Sequence, residues 1–280
     1  MISADSMQVY RGMDIGSAKP PENLLSRLPH HLIDIRNPDE QFHAGDFIAL
    51  ADRAVEQITG AGKIPVLSGG TAFYFKNFIY GLPSTPPSDP GIRSLLEKER
   101  QRRGLQVLYE ELQKSDPAAA VRVAPRDGYR IQRALEIIRS TGRPLSSFDA
   151  PSVPRDLYEF LVLGLERPRE ELYRRIDSRV NQMMDQGLEE EVKGLFRKGY
   201  SEENPGMQGI GYREFFSARR RGCVNRSLII GEIQQNSRHY AKRQLTFFRA
   251  FAGAEWYHPD RGEALAGRIN GFLKDSGAGR

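Results

Sequence analysis

Hydrophobic and polar positions follow two periods along the chain, which predicts a mixed α/β protein. Short apolar runs at 1–4, 31–35 and 64–67 have the length of buried strands, and the apolar positions of 47–58 have helical spacing. Strand and helix signals that alternate in this way favour a parallel sheet. One more strand is predicted at 158–165, after a long interval without strand signals.

The interval before that last strand has a helical pattern. It begins with 81–90, whose proline, glycine and serine content is typical of a linker. We therefore predict an α/β core made of 1–87 and 156–280, interrupted by a helical insertion at 88–155. Helices are predicted at 92–103, 105–113, 117–123, 129–140, 169–198 and 226–251.

Composition narrows the class of protein further. The 280 residues are 39% hydrophobic and 28% charged, as in ordinary globular proteins. Apolar runs stay well below the roughly 20 residues of a membrane helix, and no secretory signal pattern is present. The single cysteine, Cys223, and the lack of zinc-like Cys/His spacing favour a cytoplasmic protein without a structural metal. The net charge of +5 indicates either a polyanionic partner or simply a basic surface.

The first candidate for chemistry is the acid–hydroxyl pair Asp5-Ser6, which directly follows a predicted strand. Ligands of open parallel sheets bind outside the carboxyl ends of the strands, where a carboxylate can accept a proton from a nucleophile. The alternative is an aspartate that caps the following turn. The glycine-containing loop YRGMDIGSAKP that follows favours a ligand site, although loop glycines alone are weak evidence.

A second candidate is the turn Ser68-Gly69-Gly70-Thr71, which lies between a predicted strand and a predicted helix. The free N–H groups of a helix N-terminus suit an anion or the polar edge of a nucleobase. A tight turn with Thr71 as helix cap would explain the threonine but not the paired glycines.

A third candidate is the pair Arg175 and Arg179, which lie one helical turn apart. Two guanidinium groups that project together suit a diphosphate. Solvated ion pairs with Glu171 or Asp177 are the alternative, and spacing alone does not separate the two.

The fourth candidate combines MQGIGYREFF, 207–216, with HYAKRQLTFFRAF, 239–251, where basic and aromatic residues alternate. A helix would place Lys242, Thr246 and Arg249 on one stripe. Basic and aromatic side chains together are typical of binding to single-stranded RNA. A second stripe of the same helix would hold Tyr240, Gln244, Phe247 and Phe251. The alternative is an amphipathic core helix whose exposed surface is basic.

Taken in order, these segments resemble the tRNA dimethylallyltransferase (tRNA isopentenyltransferase) family over nearly the whole chain. The resemblance implies a P-loop-NTPase-like core with a helical insertion. It also implies transfer of a dimethylallyl group from dimethylallyl diphosphate to N6 of adenine 37 in tRNAs that read codons starting with U. The matching stretches are DSMQVYRGMDIGSAKP, HHLIDI, LSGGTAFYF, YRIQRALEI, RIDSRVNQMMDQGLEEEV, MQGIGYREF and AKRQLTFFR.

The resemblance also assigns roles to residues. Asp5 would be the general base, with Thr71 beside it in the catalytic site, and Arg175 and Arg179 would bind the diphosphate. The partner would be a tRNA anticodon stem-loop, and we expect a cytoplasmic monomer. The residues implied to contact tRNA are Asp5, Ser6, Met7, Gln8, Thr71, Arg93, Tyr129, Arg130, Ile131, Gln132, Arg133, Gln208, Gly209, Ile210, Gly211, Tyr212, Arg213, Lys242, Arg243, Gln244, Leu245, Thr246, Phe247, Phe248 and Arg249.

In the family these motifs follow a phosphate-binding loop of the type GxTxxGK[ST], and no segment of these 280 residues fits that pattern. We therefore expect an N-terminally truncated chain that lacks about 30 residues, the length of a strand and a helix. Such a chain would bind tRNA but transfer prenyl groups weakly or not at all. Mg²⁺ on the diphosphate is implied by the resemblance. The alternatives are a prenyltransferase for free adenine nucleotides, a non-catalytic tRNA-binding remnant and a nucleotide kinase.

Overall fold

The computed structural model describes residues 1–149, 151–222 and 225–276, so Cys223 lies outside the described residues. The chain divides into two compact units, of which the first combines Met1–Ile79 with Asp156–Arg280. The second unit is Tyr80–Arg155. Each unit has its own hydrophobic core.

The described residues form helices α1 to α12 and strands β1 to β4, numbered in chain order. None of these helices combines the length and the apolar character that crossing a membrane requires. The strands are β1 (Ile2–Ser3), β2 (Leu67–Ser68), β3 (Leu163–Leu165) and β4 (Glu255–Tyr257). The helices are α1 (Glu22–Arg27), α2 (Ala44–Gly60), α3 (Ala72–Tyr80), α4 (Pro90–Arg103), α5 (Leu105–Ser115), α6 (Pro117–Arg122), α7 (Gly128–Thr141), α8 (Arg169–Asp185), α9 (Leu188–Arg197), α10 (Arg213–Arg220), α11 (Arg226–Phe248) and α12 (Gly262–Asp275).

Both strand pairs are parallel, which confirms the predicted α/β class. Strand β1 pairs with β2 in the register Ile2 to Leu67, and β3 pairs with β4 in the register Leu163 to Glu255. The strands are shorter than predicted, and the strand predicted at 31–35 is wrong, since that segment forms only an isolated bridge between His31 and Ile2. Strand β4 was not predicted, since three residues are too few to show a period of two.

The predicted helix at 169–198 is wrong in one respect, because the chain turns between α8 and α9. Gly187 has a φ of 102°, a left-handed conformation that ends helix α8 and that glycine adopts without steric cost. The predicted helix at 226–251 ends at Phe248, so Arg249 and Phe251 lie beyond the last turn of α11. Helices α1, α10 and α12 were not predicted.

Aromatic rings hold α2, α3 and the segment before β3 together in the first unit. Phe47 of α2 stacks on Tyr74 of α3, with ring centroids 4.4 Å apart. Phe78 stacks on Tyr158 at 5.7 Å. Phe47 and Phe78 are almost completely buried, which stabilises the unit by about 1.5–3 kcal/mol for each ring. This packing fixes α3, and with it the turn that precedes α3.

The second unit is a small helical domain built from α4 to α7. Its core consists mainly of leucine and isoleucine side chains, of which Leu96, Leu112 and Ile131 are fully buried. Asp89 and Asp127 accept backbone N–H groups at the starts of α4 and α7, which satisfies donors that a helix leaves unpaired.

Candidate active site and RNA-binding surfaces

Asp5 lies in the loop that follows β1, and its carboxylate is held in place by that loop. Oδ1 accepts hydrogen bonds from the backbone N–H groups of Met7 at 2.8 Å and Gln8 at 3.3 Å. Among the described residues no hydrogen bond or ion pair to Oδ2 is recorded. Burial raises the pKa of Asp5, and the two backbone hydrogen bonds offset part of that rise. The arrangement therefore fixes one oxygen and leaves the other available as a proton acceptor.

Thr71 connects the Asp5 loop to the start of α3. Its Oγ1 accepts a hydrogen bond from Ser6 N at 2.9 Å and donates one to Ser6 Oγ at 3.3 Å. The hydroxyl group therefore binds the start of α3 to Ser6, the residue that follows Asp5.

The paired glycines of the turn are explained by two close approaches. A Cβ atom at Gly69 would lie 2.3 Å from the backbone oxygen of Ala4, and one at Gly70 would lie 2.3 Å from Nε2 of Gln244. That amide donates a hydrogen bond of 2.6 Å to the carbonyl oxygen of Gly70. Helix α11 therefore covers the turn, and a side chain at either glycine would push neighbouring groups away.

Tyr240 is a residue of this site that the sequence assigned only to a helical stripe. Its hydroxyl lies 3.5 Å from the carbonyl oxygen of Gly70, one helical turn before Gln244 on α11. Burial and the negative charge of Asp5 raise the pKa of the Tyr240 phenol. The hydroxyl group therefore stays protonated at neutral pH and can donate a hydrogen bond.

Glu191 clamps the loop that runs on from Asp5, and sequence analysis did not single it out. Its Oε2 accepts from the backbone N–H groups of Asp14 at 2.9 Å and Ile15 at 2.8 Å. Its Oε1 accepts from Gly16 N at 3.1 Å and from the Tyr212 hydroxyl at 2.8 Å. In the sequence Glu191 is one of three consecutive glutamates, so only the fold distinguishes it from its neighbours.

Gln8 does not present a free amide to a substrate. Its Oε1 accepts from Ser3 Oγ at 2.9 Å, and its Nε2 lies 3.4 Å and 3.3 Å from the carbonyl oxygens of Ser17 and Ala18. The implied contact of Gln8 with adenine therefore competes with these loop contacts.

Lys19 is anchored at the base of a groove beside the same loop. Its ammonium group lies 2.6 Å from Asp14 Oδ1, 2.5 Å from Asp34 Oδ1 and 2.7 Å from the carbonyl oxygen of Tyr10. Only 5% of the Lys19 side chain is exposed, so its charge is neutralised by the two aspartates. The lysine therefore organises the loop and is not a free cation.

The two arginines assigned to a diphosphate have different surroundings. Arg175 Nε donates to Glu171 Oε1 at 2.9 Å, which is the alternative that the sequence left open. Arg179 lines the groove above Lys19, which has a volume of about 590 Å³. Asp177, the other acid considered, pairs with Arg238. Of the two arginines, only Arg179 lines that groove, which Asp14, Glu22 and Asp34 also line, and the diphosphate contacts of both arginines stay predictions.

The segment implied to contact tRNA at 208–213 contains both surface and core residues. Gln208 and Arg213 are exposed, whereas Tyr212 is fully buried. Gly211 N donates to the buried carboxylate of Glu214 at 2.8 Å. The ring of Tyr212 belongs to the core, so the implied tRNA contact of this residue stays a prediction that the position of its side chain does not support. Gly209 and Ile210 are partly buried.

Helix α11 divides the residues implied to contact tRNA between two faces. Gln244 bonds to Gly70, and Phe248 packs edge-on against Phe75, with ring centroids 5.6 Å apart. The side chain of Arg249, beyond the helix, pairs with Glu166 at 3.2 Å. Leu245 is partly buried like Gln244 and Phe248, and the outward residues are Lys242, Arg243, Thr246, Phe247 and Arg249.

The second unit carries most of the net charge. It has 13 lysine and arginine residues against nine aspartate and glutamate residues, a net charge of +4 out of +5 for the chain. Of the residues implied to contact tRNA, Tyr129 and Arg130 are exposed. Ile131 is fully buried in the core, so the position of its side chain does not support the implied tRNA contact, which stays a prediction. Gln132 donates to Glu97 at 2.9 Å, and Arg133 donates to the Pro86 carbonyl oxygen at 2.6 Å.

The described residues contain no group of three or more His, Cys, Asp or Glu side chains that could hold a metal ion. The two aspartates beside Lys19 already neutralise its charge. Mg²⁺ bound to the diphosphate, which the resemblance implies, stays a prediction.

Comparison with known proteins identifies the family. A family model described as IPP transferase matches residues 8–251. The chain belongs to the IPP transferase family. A family member from Geobacter sulfurreducens, named tRNA dimethylallyltransferase, is 45% identical over 257 residues, which cover 91% of this chain and 82% of that protein. One from Borreliella burgdorferi with the same name is 40% identical over 260 residues, covering 93% and 85%.

Solved structures of the family have the same fold. The full-length tRNA isopentenylpyrophosphate transferase from Bacillus halodurans is 38% identical, with a TM-score of 0.69 over 98% of this chain and 88% of that chain. A eukaryotic dimethylallyltransferase described as acting on tRNA is 25% identical, with a TM-score of 0.78 over 98% of this chain and 73% of that chain.

Proposed function

We propose that this protein transfers a dimethylallyl group from dimethylallyl diphosphate to tRNA. The observation that carries the proposal is the Asp5 site: a carboxylate with one fixed and one free oxygen, next to the Thr71 turn, in a member of the IPP transferase family. Many family members are named tRNA dimethylallyltransferase, and the resemblance of the motifs supports N6 of adenine 37 as the acceptor.

In the proposed reaction N6 of adenine attacks the first carbon of the dimethylallyl group. The carbon–oxygen bond to the diphosphate breaks, and the diphosphate leaves with the electron pair. Oδ2 of Asp5 accepts the proton that N6 loses as its bond to carbon forms. The adenine must leave the base stack to reach the carboxylate, and a free loop nucleotide can do so at low cost.

The raised pKa of Asp5 suits this role. A carboxylate in a desolvated site is a stronger base than one in water, provided that it is ionised at the working pH. The hydrogen bonds from Met7 N and Gln8 N favour the charged form of the carboxylate and so oppose the effect of burial on its pKa. Tyr240 and Thr71 supply hydroxyl groups beside it.

Two surfaces of this chain are suited to RNA. In the first unit Lys242, Arg243 and Phe247 lie on the outward face of α11, the helix whose Tyr240 and Gln244 contact Gly70 of the site. The second unit carries a net charge of +4. Cations of this kind bind phosphates by releasing counterions. For the diphosphate leaving group, Arg179 is the candidate within the described residues.

Transfer is tested by incubating the protein with unmodified tRNA and labelled dimethylallyl diphosphate, followed by digestion and mass spectrometry of the nucleosides. We expect a dimethylallyl group on adenosine 37, and the assay is run under single-turnover conditions so that a slow reaction is still seen. Competition with AMP separates tRNA from free nucleotides as acceptors. Label on AMP in place of tRNA, or no label on either, would contradict the proposal. We further propose a monomer that acts in the cytoplasm, where tRNA is modified.

A further inference from the structure

A buried carboxylate in the middle of α7 is the centre of a hydrogen-bonded cluster in the second unit. Glu136 is 1% exposed and accepts hydrogen bonds from Ser88 Oγ at 2.8 Å and Asp89 N at 2.6 Å. Its Oε2 also lies 3.3 Å from Arg93 Nε and 3.0 Å from Arg133 Nη1. A buried carboxylate with this many donors is fully satisfied, and removing it would leave two arginines without their shared anchor.

Arg93 connects this anchor to the surface. Its guanidinium carbon lies 5.5 Å from the centroid of the Tyr129 ring, within the range of a cation–π contact. The side chain of Arg93 is one-third exposed, and its Nε is fixed by Glu136. The guanidinium group therefore supports one side of the ring from within the unit.

The Tyr129 ring itself is largely open to solvent. It is 64% exposed, so with Arg93 against one side much of the remaining ring surface has no protein contact. Arg130, the next residue, has a side chain that is 67% exposed and pairs with Asp127 at 3.4 Å. An exposed aromatic ring with a guanidinium group against one side matches an unpaired nucleobase, which offers a π-face for stacking.

We propose that Tyr129 is a stacking platform for an unpaired nucleobase of the tRNA, and that Glu136 is a positioning residue that holds it through Arg93. This inference rests on tRNA being the substrate, and it adds how the helical insertion recognises the RNA. A platform of this kind tolerates any base, because every base has a π-face. The insertion therefore contributes affinity more than sequence discrimination through this residue.

The test measures binding of an unmodified anticodon stem-loop RNA at several salt concentrations. Tyr129→Phe keeps the ring and should bind within about twofold of the wild type. Tyr129→Leu should weaken binding roughly five- to 150-fold, the range expected for one base stacked on an aromatic side chain. The slope of log K against log salt should not change, because no phosphate contact is lost. Val121→Ser is the control, since Val121 is 89% exposed in the same unit.

The role of Glu136 is tested by a double-mutant cycle. Glu136→Gln should weaken binding in the wild-type background and have little further effect in the Tyr129→Leu background, because both changes act on the same platform. A merely structural role would weaken both backgrounds alike. Wild-type binding by Tyr129→Leu would overturn the proposal, as would a loss for Tyr129→Phe equal to that for Tyr129→Leu. If either result is found and the wild-type protein still transfers the prenyl group, the proposed function stands and only the stacking platform is refuted.

Discussion

The Glu191 clamp allows the sharpest test of how the loop after Asp5 is held. Glu191→Gln keeps the size of the side chain and removes its charge and one acceptor oxygen. The carboxylate has four donors, two at each oxygen. An amide offers only one oxygen, so one pair of donors must face an NH₂ group.

The cost can be worked from these contacts. If the remaining oxygen stays opposite Asp14 and Ile15, both hydrogen bonds become neutral and each loses about 1 kcal/mol. The N–H of Gly16 then faces another donor, at a cost of roughly 1–3 kcal/mol, whereas the Tyr212 hydroxyl can rotate and accept from the amide. Water can reach the partly exposed loop and replace some of the lost hydrogen bonds, which lowers the total cost. We therefore expect the free energy of unfolding to fall by about 2–4 kcal/mol.

Urea unfolding of the wild type and the variant measures this change, with an unchanged dependence on urea if only stability is affected. Amide hydrogen exchange should also speed up at residues 14–16, where the donors lie. Glu190→Gln is the matched control: it removes an exposed carboxylate that pairs with Lys193 on the same helix, and it should cost less than about 1 kcal/mol. Equal stability of the two variants would refute the clamp.

Three further predictions address the reaction and its substrates. The transfer rate should fall as the pH drops through the raised pKa of Asp5. The acidic limb of the pH–rate profile should therefore lie above the ordinary pKa of aspartate. An acidic limb at that ordinary pKa would contradict a desolvated carboxylate at Asp5. Lys242→Ala should reduce the slope of log K for tRNA binding against log salt by about one. Arg249→Ala should reduce it by less, because Glu166 already pairs with Arg249. The same slope for the wild type and both variants would show that neither residue contacts a phosphate. Arg179→Ala should raise KM for dimethylallyl diphosphate about tenfold or more, as expected for a lost charge-assisted contact, while Arg175→Ala should change it little; the reverse order would reassign the diphosphate site.

The sequence predicted the class of fold because its strongest signals are local. Buried strands next to amphipathic helices reveal a parallel α/β core, and a proline-rich segment marks where the insertion begins. It could not predict the break at Gly187, because the helical period continues on both sides of it. It also missed β4, whose three residues are extended only because β3 lies beside them.

Sequence motifs predicted the part of the candidate site that contains Asp5 and Thr71. Asp5 and Thr71 stand out because each follows a strand, and the structure brings them together through Ser6. The residues that hold the site, such as Glu191, have no distinguishing sequence context, since their partners are backbone groups far along the chain. For Tyr212 the motif was misleading, because it suggested a role at the surface, whereas the ring is buried.

The most direct test of the account is the single-turnover rate of Asp5→Asn with unmodified tRNA and dimethylallyl diphosphate. Asparagine can still accept the hydrogen bonds of Met7 and Gln8 with its oxygen, and it lacks the basic Oδ2. We predict a rate lower by roughly 10²–10⁴ with tRNA affinity unchanged, while Asp39→Asn, an exposed control, behaves as the wild type. A rate for Asp5→Asn close to that of the wild type, or equal losses of rate and affinity, would contradict the role of Asp5 as the base.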